Sequence, residues 1–151
     1  MYDVRRNMDM INIGSCPDIM VMSSETGLDA HPYWYACIIG VFYALVSLSH
    51  TGVGERLMHR MDFLWVRWFG IEPGRYRYGI CYAQLPKIGF VESTNKYAFT
   101  FLNPAQAIRG MHIFPAFSEG QTLALLPNGK SVARILNPDE DDDWVNFYVN
   151  M

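Results

Sequence analysis

DFLWVRWF, Asp62 to Phe69, is the stretch on which the fold class turns. Apart from Asp62 and Arg67 every residue in it is large and apolar, and two are tryptophans. A short apolar run so rich in aromatics reads as a strand buried on at least one face. It marks a β-core, not an active site.

The run before it in the chain is longer. YWYACIIGVFYALVSL, Tyr33 to Leu48, carries no charge over 16 residues and has to be weighed as a membrane span. A spanning helix needs roughly 20 apolar residues, with about 17 as the lower limit. Gly40, the β-branched Ile38, Ile39 and Val41, and the aromatics Tyr33, Trp34, Tyr35, Phe42 and Tyr43 favour a strand instead. His31-Pro32 suits the start of one. The segment is therefore expected to be a buried strand or a bent strand pair, with no membrane contact.

The remaining segments fit the same class. Ile19 to Met22 and Ala98 to Leu102 read as short strands. SSETGLDAHP (23–32) and GIEPGRYRYG (70–79) are turn regions rich in Ser, Gly and Pro. Tyr78 to Val91 is ambiguous, broken by Pro86 and Gly89. In NPAQAIRG, Asn103 suits an N-cap, Pro104 the first helical position and Gly110 the residue past the end, which predicts one or two helical turns around 103–109. Pro115 demotes Met111 to Phe117 to an edge or bulged strand. PNGK between Gln121–Leu126 and Ser131–Leu136 predicts a hairpin. Asp139 to Asp143 reads as a solvated acidic loop, and WVNFYVNM as a strand or short helix.

With roughly six to eight short strands, no repeat and no strong amphipathic helix, the expected fold is mainly β. It is a small curved or partly closed antiparallel β-barrel with one short helix. Residues 1–30 form an irregular N-terminal segment with one short strand, and 31–151 the β-rich domain. FYVNM ends on an apolar note, as a domain cut short would.

The 151 residues fit one domain, and 50% hydrophobic with 15% aromatic content excludes wholesale disorder. A net charge of −3 argues against a generic polyanion binder. The charge is unevenly spread. Residues 1–54 hold two cations and five acids, residues 55–110 eight and four, and residues 111–151 two and six. Cys16, Cys37 and Cys81 form no CxxC pair, and the N-terminus has no continuous apolar stretch. Free thiols in a reducing compartment follow, nuclear or cytoplasmic rather than secreted.

Motifs with chemistry are few. ALLPNGKS, Ala124 to Ser131, satisfies a relaxed phosphate-loop pattern, but Pro127 removes an amide and Pro138 leaves no room for the helix such a loop needs. GVGER (52–56) lacks the third glycine of a dinucleotide fingerprint. His31, His50, His59 and His112 have no metal-ligand spacing, and a zinc site would have to join distant residues such as His59 and Cys81. Asp62 opens a strand, as nuclease carboxylates do, but no partner acids converge by spacing. No cofactor, metal, catalytic residue or small-molecule substrate is expected. The basic stretch carries more. Arg56, Arg60, Arg67, Arg75 and Arg77 alternate with Trp65, Trp68, Tyr76 and Tyr78, a mixture suited to phosphate contacts and base stacking. The plainer reading is that these arginines cover aromatic edges and pair locally with Glu55, Asp62 and Glu72.

Six blocks in order, YDVRRNMDMIN, DIMVMSSETG, HPYWYACIIGVFYALV, MDFLWVRWFG, FTFLNPAQAIRGMHIFPAF and DDWVNFYVNM, cover nearly the whole chain. Their order and spacing resemble the C-terminal region of Plavaka-type transposases of fungal DNA transposons. The resemblance implies a non-catalytic β-rich appendix, because the acidic triad of such transposases lies upstream in a ribonuclease H-like domain. It also implies a domain truncated at both ends. Cys37 and Leu45 depart from it, standing where the family tends to be polar, and NIGSC (12–16) matches weakly. The expected function is thus a DNA, chromatin or intramolecular binding module whose partners are DNA or the missing parts of the transposase. The alternatives are an isolated structural relic without activity and a small nucleotide-binding enzyme using ALLPNGKS.

Overall fold

The two long apolar runs of the sequence lie side by side in one sheet. The computed structural model describes residues 17–27, 30–47, 58–71, 85–127, 131, 133 and 142–150. Within them are β1 (Asp18–Met22), β2 (Tyr33–Ser47), β3 (Met58–Ile71), β4 (Lys87–Phe90), β5 (Phe99–Leu102), β6 (Ala107–Gly110), β7 (His112–Pro115), β8 (Gln121–Thr122), β9 (Asp143–Trp144) and β10 (Phe147–Asn150). The mainly β expectation holds. No helix among the described residues is long and apolar enough to cross a membrane.

β2 and β3 pair antiparallel from Tyr35↔Phe69 out to Ser47↔Met58. The register shifts between Ile38 and Gly40, so Ile39 is an extra residue bulged out of the ladder. A Cβ on Gly40 would meet the Phe42 ring 2.5 Å away, and its absence leaves that ring free to stack on Phe63. The full order is β6-β1-β2-β3-β4-β10-β7, with β5 also on β3. β1, the one short strand expected within residues 1–30, is an interior strand paired on both edges.

β4 and β5 follow one another along the same edge of β3. Trp68 closes the excursion between them, donating its N–H to the Ala98 carbonyl and accepting from the Val91 N–H. The indole Nε1 of Trp68 also donates to Thr100 Oγ1 at 2.7 Å.

Both faces of the central strands are buried, as period-2 alternation in strands covered on both sides requires. Met20, Tyr35, Cys37, Ile39, Phe69, Ile88, Met111, Phe147 and Val149 form one core cluster. Ile19, Val21, Ala36, Ile38, Leu64, Val66 and Leu102 form the other.

The sheet is not a closed barrel, which corrects the partly closed expectation: among the described residues no hydrogen-bonded ladder joins its two ends. Those ends are nevertheless consecutive in the chain, because only Met111 separates β6 from β7. In a flat sheet six spacings of about 4.8 Å would hold them about 29 Å apart, whereas Gly110 and His112 lie within roughly 7 Å along the chain. The sheet is therefore strongly curled.

The helix around 103–109 is one 3-10 turn, Pro104–Gln106, with the expected Asn103 cap and a reciprocal Gln106 contact. Ala107–Gly110 instead extends along the open edge of β1, where unpaired backbone groups outweigh local helix propensity. Of the PNGK hairpin, Asn128 to Lys130 and most of Ser131–Leu136 lie outside the described residues. Within Gln121–Leu126 only Gln121–Thr122 is a strand, and it pairs with β9. Residues 123–126 are in turns, and neither Ser131 nor Ala133 is in a strand.

Gly89 is a point of close approach between β4 and the turn into β10. A Cβ there would lie 2.5 Å from Asn146 Oδ1 and 2.7 Å from the Val145 carbonyl. Because one obstacle is backbone, Gly89→Ala is expected to lower stability by about 1–3 kcal/mol, read from urea unfolding.

Candidate functional site

Three of the five arginines expected at a nucleic-acid face, Arg56, Arg75 and Arg77, lie outside the described residues. Arg60 is exposed, its Nε 2.8 Å from Asp62 Oδ1 and its guanidinium 4.6 Å over the Tyr43 ring. Arg67 is a correction. It is 0% exposed, donating from Nη1 to Asp143 Oδ1 at 3.2 Å and from Nη2 to Oδ2 at 2.9 Å. The Phe90 ring lies 3.8 Å from its guanidinium carbon. Enclosed in this way, Arg67 has no path to a phosphate. Asp143 is corrected with it, since its side chain is 15% exposed and paired rather than solvated, while Asp139 to Asp141 lie outside the described residues.

The cause is register. Asp18 pairs with Cys37, Cys37 with Arg67 and Arg67 with Phe99, so one row of side chains crosses four strands on a single face. Asp18 Oδ1 and Arg67 Nε are buried without a hydrogen-bond partner. Burial pushes the Asp18 carboxyl up to about 7, against the pull of a hydrogen bond with the Cys37 thiol. Burial first, and Asp18 second, push the Cys37 thiol well above its ordinary range. A thiol held protonated is a poor nucleophile and a poor metal ligand. What this row offers chemically is proton uptake at Asp18 and a charge clamp at Arg67.

A second polar cluster ties the C-terminal strands down. Glu119 accepts from Lys87 Nζ at 2.7 Å and from the Asn146 amide. Those hydrogen bonds, Lys87 first, hold its carboxyl below the usual range. His59 and His112 are exposed, and His31 is buried with Nδ1 3.2 Å from the Tyr33 N–H. Asp62 sits within β3, exposed and paired with Arg60, not at a strand opening. Among the described residues no three His, Cys, Asp or Glu side chains gather as a metal site. Of ALLPNGKS, Ala124 and Leu125 lie in turns and Asn128 to Lys130 are outside the described residues.

The feature that sequence reading missed is the outer part of the β2–β3 pair. β1 covers only residues up to Cys37 on the outer edge of β2, and β5 covers β3 only from Leu64 onward. Beyond those points residues 41–47 and 58–63 form a two-stranded arm with no other strand beside it among the described residues. Val41, Phe42, Tyr43, Leu45, Val46, Met58 and Met61 are exposed on it, Tyr43 at 61%. An aromatic ladder joins the arm to the core through Phe42–Phe63 (5.8 Å), Phe63–Phe101 (5.1 Å) and Phe101–Trp65 (4.6 Å). The unbroken apolar length of Tyr33 to Leu48 was the available signal, because a 15-residue strand outruns its five-residue neighbour β1.

Comparison with known proteins finds no family model, no curated protein and no solved structure that matches the chain.

Proposed function

We propose that the chain is a non-catalytic β-domain that works as an assembly module, in the setting of a Plavaka-like transposase, with the β2–β3 arm as its contact surface. One observation carries the reading: the arm exposes large apolar side chains from both of its strands. They lie on both faces of the arm, Val41, Tyr43, Leu45 and Met58 on one and Phe42, Val46 and Met61 on the other, and soluble monomers seldom leave apolar surface of this extent uncovered. A lone two-stranded hairpin is also marginal in water, so a covering partner would stabilise it. Protein contact is favoured over DNA contact because Arg67 is enclosed and Arg60 already has a carboxylate beside it.

The test uses the full chain with Phe42→Ser, Leu45→Ser and Met61→Ser combined. Wild type is expected to bind the 1-anilinonaphthalene-8-sulfonate dye and to associate with a protein partner, either the upstream part of a Plavaka-type transposase or a second copy. The triple variant is expected to lose both signals while keeping its β-sheet circular dichroism. Equal behaviour of the two proteins would overturn the reading. Salt-sensitive binding of duplex DNA by both would favour the nucleic-acid role instead.

A further inference from the structure

We infer that the arm's partner includes a second copy of this chain, joined edge to edge through residues 59–63 of β3 about a two-fold axis at Met61. The inference rests on the arm being a contact surface and adds which edge is used, in which register and against what.

The open edge comes first. Trp68 directs both its N–H and its carbonyl toward the β4/β5 side of β3. Strand alternation gives the same direction to the backbone groups of Asp62 and Arg60, which lie past the end of β5. These are the backbone groups an added antiparallel strand would take up.

Charge then selects the register. Asp62 and Arg60 are two residues apart, so their side chains share one face, where they pair at 2.8 Å. In an antiparallel edge pair centred on Met61, Arg60 stands opposite the second copy's Asp62, and Asp62 opposite its Arg60. Both are hydrogen-bonded pairs, supplying about four backbone bonds. Sliding the copy two residues one way sets arginine against arginine. Sliding it the other way sets aspartate against aspartate. Registers offset by one residue turn the open backbone groups away from each other.

The opposite face of the arm agrees. In the matched register Met61 meets Met61 at a close, non-hydrogen-bonded position, and Phe63 meets His59. The Phe42–Phe63–Phe101 ladder would then continue across the axis.

The experiment is a charge swap on the full chain, read by sedimentation velocity over a concentration series. Arg60→Asp and Asp62→Arg are each expected to weaken self-association by at least about tenfold, since every facing pair becomes like-charged. An equimolar mixture of the two variants is expected to dimerise, because the aspartates of one variant then face the arginines of the other at both positions. Both side chains are exposed, and unchanged melting temperatures confirm that folding is intact. A wild type that stays monomeric overturns the inference, as do single variants that dimerise like wild type. The contact-surface reading fails separately, when the apolar triple variant keeps the dye signal and partner binding of wild type.

Discussion

Arg67→Ala is expected to destabilise the domain by roughly 3–5 kcal/mol, the range for removing one partner of a buried ion pair. The size follows from what is left behind. Asp143 would keep a largely enclosed carboxylate with no counter-charge, and Phe90 would lose the planar group packed on its ring. The strand that carries Asp143 lies 76 residues further along the chain, so the clamp ties the C-terminal segment to the centre of β3. Urea unfolding at constant pH measures the loss. Replacing both partners, Arg67→Met with Asp143→Asn, is expected to recover most of it, because no unpaired charge then stays inside. A single-variant loss below about 1 kcal/mol, the level of an exposed pair, would show that Arg67 is solvated in the folded protein.

Asp18→Asn is expected to flatten the pH dependence of stability between about pH 4 and pH 7, the interval bounded by the ordinary and native carboxyl values. Below that window Asp18 is protonated in both folded and unfolded chains and imposes no penalty. Within it the unfolded chain ionises while the folded one keeps its proton, so rising pH favours unfolding. Above about 7 the folded carboxylate is ionised as well and the loss is complete. Moving from 3.8 to about 7 corresponds to roughly 4 kcal/mol. The asparagine variant should therefore be the more stable protein at pH 8, by roughly 2–4 kcal/mol once its own amide is accommodated. The neighbouring groups on the same row are the Cys37 thiol and the Arg67 guanidinium. Denaturation midpoints of the two proteins from pH 4 to pH 8 decide the matter. Parallel curves would mean that Asp18 ionises normally in the fold.

Sequence reading reached the class of the fold because its cues are local. Tyr33 to Leu48 and Asp62 to Phe69 carry the β-branched and aromatic content of buried strands, and strands run through both, over Tyr33–Ser47 and Met58–Ile71. Pro115 placed its segment at an end of the sheet order, where β7 lies. The failures are all places where a distant partner overrules a local cue. Ala107–Gly110 has helix-ending chemistry, but the open edge of β1 claims it. Gln121–Leu126 reads as one arm of a hairpin, but only Gln121–Thr122 is a strand, and it finds β9. Arg67 looks like its arginine neighbours, and only the register opposite Cys37 and the arrival of Asp143 make it an interior residue. The apolar arm was legible as length but not as exposure, which depends on where β1 and β5 stop.

The single residue between β6 and β7 has a consequence for how the sheet comes apart. A ribbon with two independent borders can fray from either one, a strand at a time. Here both borders belong to one unbroken stretch of chain, anchored by β1 on one side of Met111 and by β10 on the other. Peeling one border pulls directly on the other, so the curled sheet is fastened like a belt whose buckle is its own two end strands.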